Sequence, residues 1–331
     1  MLSLGNKLDP DRYRDSVQVN AEKIPNRKFQ IPNKKIQNPK FISMLYPYIF
    51  INGDILPREK AMIPVYDLGL LRGLGIFDYF RVWDGVPVFV EDHIHRLQHS
   101  LHVIGLNTDV NDQQWLEWFH QMIKINEADR AGFRVVVTGG YSEDGYTIPE
   151  QKNIYLMLHH LPPNDPEQYQ NGVSLLTSSY QRDIPSAKTT IYIQSMHFQP
   201  QLKKAGAFEV LYHWKGEITE CSRCNIFFID KEGVVHTPKN GLLRGITRKQ
   251  VLAIAAENQI PLIERDIFLD EIPGMSGSFL TATTKGVLPV VKIDDQIIGD
   301  GSVHPIAVQL MDLFQKRMNA YLERALQNQN S

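Results

Sequence analysis

The residues with the most chemical potential are a lysine, a glutamate, an arginine and two turns rich in glycine or threonine, spread along one chain. Ile184-Pro-Ser-Ala-Lys188-Thr-Thr-Ile-Tyr192 sets a lysine among small residues after a proline turn. Its amine could attack a carbonyl or could be a solvated loop cation, and the segment alone favours the second. Ile218-Thr-Glu220-Cys-Ser-Arg-Cys-Asn225-Ile-Phe-Phe-Ile-Asp places a glutamate where a turn meets an apolar strand. A buried carboxylate needs a cationic partner or a proton. A protonated pyridinium nitrogen is one such partner; a surface glutamate in a β-turn is the plainer alternative. In Gly241-Leu-Leu243-Arg-Gly245-Ile246-Thr247-Arg248 two glycines bracket a turn that runs into a helical pattern. Free N–H groups and the helix dipole at such a start suit a phosphate, and Thr247 adds a hydroxyl. Glu91-Asp-His-Ile-His-Arg96-Leu supplies an arginine early in a helix, with the donor fork that recognises phosphate. Phe279-Leu-Thr281-Ala-Thr283-Thr284 puts hydroxyls at a strand end, suited to a phosphate or a carboxylate, or simply to a threonine-rich turn.

The elements that must hold these residues follow from periodicity. Tyr48-Ile-Phe-Ile51 reads as a strand ending at the Asn52-Gly53 turn, and Phe77 to Trp83 as a second strand ending at Asp84-Gly85, with Val86 to Val90 returning beside it. Ile94, Leu97, Leu101 and Ile104 recur at helical spacing, as do Trp115, Phe119 and Ile123. Residues 133–138 and 153–158 read as strands. Leu161-Pro-Pro-Asn-Asp-Pro is a stiff polar connector. Beyond it, strands are expected at 173–177, 208–212, 225–229, 277–282 and 287–293. A helix is expected after Gly245, and a C-terminal amphipathic helix carries Leu310, Leu313, Met318 and Leu322. The expectation is therefore an α/β (α+β) chain of two lobes, residues 44–160 and 173–331, joined by a linker at 161–172, with the site in the cleft between them. Residues 1–43, rich in Asn, Lys, Arg, Asp and Pro, read as an extended or disordered arm, or as sequence before a true start at Met44.

Bulk properties exclude some classes. The chain has 331 residues, 43% hydrophobic and 22% charged, with a net charge of -2. No strong field draws it to nucleic acid or to anionic lipid. Cys221 and Cys224 form a single CxxC, too few for a four-cysteine zinc site and in a turn-then-strand context, so a structural role is expected and no metal. Few cysteines, no secretory signal and no long apolar run point to the cytoplasm.

The order of these segments resembles the fold-type IV pyridoxal-phosphate enzymes, which include branched-chain aminotransferases, D-amino acid aminotransferases and aminodeoxychorismate lyase. The resemblance spans about residues 48–326 and rests on Glu91-Asp92-His93-Ile94-His95-Arg96, Lys188, Thr219-Glu220 with Asn225, and Gly245-Ile246-Thr247-Arg248 occurring together. It implies a two-domain D-amino acid aminotransferase-like fold, with a smaller N-terminal lobe and a larger barrel-like C-terminal lobe. It implies pyridoxal 5'-phosphate as cofactor, Lys188 as its Schiff-base lysine and Glu220 as the acid facing the pyridine nitrogen. Arg96, Ile246, Thr247 and Thr283 would then hold the phosphate, and Leu243 would pack on the ring. A double-displacement transamination and a homodimer whose sites are lined partly by the other subunit are also implied.

The substrate segment departs from the family pattern. Along Tyr66-Asp-Leu-Gly-Leu-Leu-Arg72-Gly-Leu-Gly-Ile-Phe77-Asp-Tyr79-Phe-Arg81, Leu68 replaces a common arginine, Arg72 a common aromatic residue and Tyr79 a glycine of branched-chain enzymes, whereas Phe77 and Arg81 agree with those enzymes. Arg134 aligns with an arginine that receives a side-chain carboxylate, but Gly132 replaces the tyrosine before it. The segment around Ser222 is closer to the D-amino-acid and lyase branches. Arg72, Phe77, Tyr79, Arg134 and Thr284 are the candidate substrate residues, with Arg72 either entering the pocket or pairing with Asp67 or Asp78. The best reading of the substrates is branched-chain amino acids with 2-oxoglutarate. The alternatives are a D-amino acid or amine transaminase, a lyase releasing pyruvate, and a non-catalytic cofactor-binding relative.

Overall fold

Two antiparallel-rich sheets organise the chain, and the alternation of side chains along their strands decides where a site can form. The structure is a computed structural model that describes residues 44–329; the expected arm at 1–43 lies outside the described residues. The first sheet has six strands in the order β2-β1-β6-β5-β3-β4: β1 (Tyr48–Ile51), β2 (Asp54–Pro57), β3 (Gly75–Trp83), β4 (Val86–Pro87), β5 (Arg130–Thr138) and β6 (Asn153–His160). Helices α2 (Val90–Val103) and α3 (Asp112–Ile125) carry Ile94, Leu97, Trp115 and Phe119 into one core with Ile76, Phe80, Phe133, Val135, Leu156 and Leu158. Because side chains alternate along a strand, the even positions of β3 and β6 and the odd positions of β5 face that core. Phe77, Tyr79, Arg81, Gly132, Arg134, Met157 and His159 therefore share the opposite face, and the register pairs Tyr79 with Arg134 and Gly132 with His159.

The second sheet has nine strands: β7 (Val173–Ser179), β8 (Glu209–Trp214), β9 (Glu217–Cys221), β10 (Asn225–Ile229), β11 (Val235–Pro238), β12 (Leu262–Arg265), β13 (Gly277–Ala282), β14 (Gly286–Ile293) and β15 (Gln296–Ile297). Its order is β12-β11-β10-β13-β14-β7-β8-β9, with β15 beside β14. β9 comes back against β10 and β11, so the sheet curls toward a barrel. Leu175, Leu211, Ile226, Phe228, Leu280 and Leu288 fill its inside. α6 (Ile246–Glu257) and α7 (Pro305–Gln329) pack Val251, Ile254, Leu310 and Met318 against Phe227 and Phe279 on its outer face.

Several local expectations need correction. The strand expected at 86–90 ends at Pro87, because Phe89 has φ 53° and starts α2 from a left-handed residue. The connector at 161–172 contains a short helix, α4 (Pro166–Asn171), capped by Asp165. Two helices were not foreseen: α1 (Leu68–Arg72), closed by Gly73 at φ 66°, and α5 (Ile193–Ala205), which carries Pro200 inside it. No helix among the described residues is long and apolar enough to cross a membrane.

Candidate active site

Lys188 sits where the two sheets meet. Its carbonyl accepts from Phe77 N at 2.9 Å, Thr189 bridges to Ile76 of β3, and its own N–H donates to Ser100 Oγ at 3.1 Å. The backbone is thus stitched to the first sheet and α2, leaving the side chain to point inward. Lys188 lines two cavities at once. One is walled by Arg96, Arg182, Glu220, Leu243, Ile246, Thr247, Thr281 and Thr283. The other, about 520 Å³, is walled by Phe77, Tyr79, Arg134, His159, Tyr192 and Thr284. A groove of about 890 Å³ between α2, α6 and α7 is larger, but it is open, and two of its charges, Arg317 and Glu257, pair with each other.

Burial and the nearby Arg96 cation lower the Lys188 amine to about 7. No carboxylate among the described residues pairs with it; its Nζ lies 4.6 Å from the centre of the Phe77 ring. A large fraction of the amine is therefore neutral near pH 7, the form that can attack a carbonyl or accept a proton.

Glu220 and Asn225 hold one loop between them. Glu220 Oε2 accepts from Leu243 N at 3.0 Å, and Asn225 Nδ2 donates to Leu243 O at 2.8 Å. Gly245 follows at the start of α6, where a Cβ would lie 2.2 Å from Asn225 Oδ1, so only glycine fits. The spacing Glu-x4-Asn and the two glycines of 241–245 thus serve one geometry, which aims the start of α6 into the cavity. That start has no side-chain cap, so its N–H groups and the buried Thr247 face the space beside Thr281 and Thr283. Thr281 Oγ1 is buried with no partner among the described residues. The other Glu220 oxygen accepts from Arg182 at 3.1 Å. Burial still raises the Glu220 carboxyl, with Arg182 and the Leu243 N–H opposing it.

Arg96 projects from α2, where Asp78 of β3 takes its Nε and Nη2 at 2.9 and 2.8 Å. His93 Nδ1 is 2.7 Å from the same carboxylate. Burial lowers the imidazole despite Asp78, so this contact is a hydrogen bond from a neutral ring rather than an ion pair. A start of α6 with free N–H groups, an oriented arginine, two threonines and an unpartnered hydroxyl fit a phosphate. The buried carboxylate and amine fit an aromatic aldehyde carrying it.

The expected cofactor residues Arg96, Lys188, Glu220, Leu243, Ile246, Thr247 and Thr283 thus come together around one cavity, and Phe77, Tyr79, Arg134 and Thr284 around its neighbour. Arg72 does not join them. It is exposed, donates through Nε to Gly145 O at 2.9 Å and lines a separate surface pocket. The expected salt bridges are absent too, because Asp67 is taken by Thr138, Asn153 and Tyr155, and Asp78 by Arg96 and His93. Arg182, Tyr192 and His159 line these cavities without a sequence signal of their own. Asn225, in the Thr-Glu-x4-Asn string, and Thr281, in the threonine-rich strand end, are the cavity residues outside the expected set that the sequence does mark.

Comparison with known proteins agrees with this geometry. The sequence pattern of the family described as amino-transferase class IV matches residues 75–293. A Methanocaldococcus jannaschii protein named as a branched-chain-amino-acid aminotransferase is 29% identical over 276 residues, covering 80% of this chain and 94% of that one. The D-alanine aminotransferase of Bacillus licheniformis is 27% identical, covering 81% and 95%. Among solved structures, the Escherichia coli branched-chain amino acid aminotransferase aligns with a TM-score of 0.76 at 22% identity, over 82% of this chain and 95% of that one. A second solved branched-chain amino acid aminotransferase, bound to pyridoxamine 5'-phosphate, aligns at 0.76 and 23%, over 83% and 95%. That of the archaeon Thermoproteus uzoniensis, with norvaline, aligns at 0.74 and 24%, over 85% and 97%. At these identities the structural likeness concerns the two-domain fold.

Proposed function

Because the chain belongs to the class IV aminotransferases, which use pyridoxal 5'-phosphate, we propose that it moves an amino group between a branched-chain L-amino acid and 2-oxoglutarate. The observation that carries this reading is the position of Lys188, whose buried amine lines both the phosphate-suited cavity and the aromatic one. Lys188 would attach the cofactor through its amine, with Glu220 at the ring nitrogen, Leu243 against the ring, and Arg96, Ile246, Thr247 and Thr283 at the phosphate. Pyridoxal phosphate supplies an aldehyde to carry the amino group and an electron sink for the charge left at the substrate α-carbon. Lys188 would serve as the base that takes the proton from the substrate α-carbon and as the acid that delivers it to the carbon of the cofactor's former aldehyde. An amine with a pKa near 7 does both at neutral pH. Arg182 holds Glu220 and, through its bonds to the carbonyls of Pro185 and Ala187, the turn before Lys188, so acid and base keep a fixed separation. Phe77 and Thr284 line the substrate side, and Arg134 faces it with no carboxylate partner among the described residues.

The substrate class is tested by mixing the cofactor-loaded enzyme separately with L-amino acids, D-amino acids and amines, and following the cofactor absorbance without any acceptor. Branched-chain L-amino acids should discharge the band and release their 2-oxo acids. Discharge by D-alanine alone would move the reading to the D-amino-acid branch. Pyruvate released from an aminodeoxychorismate-type substrate without an acceptor would move it to the lyases.

A cytoplasmic homodimer completes the proposal. Leu70, Leu71, Tyr146, Ile148 and Ile191 are exposed large apolar residues, and the last three line one surface pocket with Arg72. Apolar side chains gathered at one surface site suit a protein–protein contact. In a dimer, Arg72, which this chain does not direct to its own site, would be available to a second subunit. Sedimentation at the mass of one 38.0 kDa chain would remove this part of the reading.

A further inference from the structure

We propose that His159 determines specificity, by donating a hydrogen bond from Nδ1 to a distal carboxylate of the substrate in the cavity beside Lys188. This rests on the transaminase reading above and names one substrate class for it, a 2-oxo acid or amino acid bearing a second carboxylate.

Three strands build the position. Tyr79 of β3 reaches across β5, and its hydroxyl lies so close over Gly132 that a Cβ there would be 1.7 Å from it. Glycine at 132 is therefore required, and the bare strand position lets the Tyr79 ring approach the imidazole of His159 on β6, with centroids 6.3 Å apart. The swap of bulk from position 132 to position 79 thus sets the Tyr79 ring beside the His159 ring in the cavity wall. Arg134, on the same sheet face, lies 5.2 and 5.4 Å from the Phe77 and Tyr79 rings, with no carboxylate partner among the described residues.

The chemistry of the imidazole follows from this setting. Burial, and then the charge of Arg134, push His159 down to about 4, so the ring is neutral at physiological pH. A neutral imidazole has one N–H and one bare nitrogen. Nε2 is buried with no partner among the described residues, and Nδ1 makes no bond among them. Orphaned buried N–H groups are rarer than orphaned acceptors, which puts the proton on Nδ1. An imidazole N–H beside an unpaired guanidinium is a donor set for a carboxylate.

The test uses the cofactor-loaded enzyme and two probes that cannot turn over, glutarate and 4-methylvalerate, with affinities measured by calorimetry. His159→Phe should weaken glutarate by about tenfold or more, the value of a hydrogen bond to a charged group. It should change 4-methylvalerate by less than about twofold, since an apolar group makes no such bond. His159→Gln, which keeps a donor, should recover most of the glutarate affinity. In turnover the His159→Phe loss should fall on KM for 2-oxoglutarate more than on kcat. Equal weakening of both probes, or no change in either, overturns the proposal. An enzyme that transaminates nothing yet shows the glutarate-specific loss would sink the functional reading and leave the anion subsite standing.

Discussion

Replacing Lys188 by alanine abolishes amino transfer, by roughly 10³-fold or more given a covalent and an acid–base role in one side chain, without destabilising the fold. The second half of this expectation separates catalysis from structure. The amine makes no described hydrogen bond or ion pair, and its environment disfavours its charge, through burial first and then the Arg96 cation. An unfolded lysine titrates near ~10.4, the folded one at about 7. Between those values the unfolded chain binds more protons, so stability rises with pH across that window. Below about pH 7 both states are protonated and the penalty of the buried charge is complete. Cofactor-free Lys188→Ala should therefore be more stable than the parent at pH 6, and the difference should shrink from pH 7 toward 10. Thermal unfolding of the two proteins across that range, with kcat measured on the loaded enzymes, checks both halves. A variant that loses stability at pH 6 would place Lys188 among the structural residues.

The legibility of this site in the sequence differs from residue to residue, for physical reasons. Glu220, Asn225 and Gly245 are visible because close packing of a strand end, a loop and a helix start demands particular residue types at fixed spacing. Lys188 gains meaning only from them, since its own segment reads as an ordinary loop. Arg182 leaves no local trace: its partner Glu220 is 38 residues away, and an arginine in a polar turn is unremarked until the fold closes. The alternating face of β3, β5 and β6 was readable as strand pattern, but which face met the cavity depended on how the second sheet packs. Tyr79 and Gly132 each looked like a departure, and only their contact shows that one accommodates the other. The expected strand at 86–90 failed for a local reason, because a left-handed Phe89 is invisible to propensity. α5 has too weak an apolar periodicity, with Pro200 inside it, to announce itself. For Arg72 the sequence shows that a charge stands in the substrate segment but not toward which side α1 turns it, and within its own chain α1 turns it to Gly145.

Replacing Asp78 by alanine should cost about 3–5 kcal/mol of stability, the typical effect of removing one partner of a buried ion pair. Asp78 is 1% exposed and accepts from Arg96 Nε and Nη2, from His93 and from Tyr79 N at 2.6 Å. Its removal leaves the guanidinium of Arg96, itself 9% exposed, without its counter-charge. Burial alone would raise the Asp78 carboxyl, but Arg96 and His93 outweigh it and hold it well below the usual carboxylate range. A depressed folded pKa means that the stabilisation is complete above the unfolded value, near ~4, and is lost as pH falls through the folded one. The parent and Asp78→Ala should thus differ fully at pH 7 and converge in acid below about pH 4. The same variant reports on Arg96. With Asp78 present, the arginine is oriented and its charge already balanced, so an anion in the cavity adds modestly. With Asp78 removed, Arg96 loses the carboxylate it is paired with among the described residues, and inorganic phosphate in the cavity should raise the melting temperature of the variant more than that of the parent. Asp78→Asn, which keeps the shape and part of the hydrogen bonding, should fall between the two. Melting curves of all three proteins with and without phosphate read this directly: an equal phosphate effect in parent and Asp78→Ala would mean that Arg96 does not face the anion, and the phosphate site would have to be built from the start of α6 and its threonines alone.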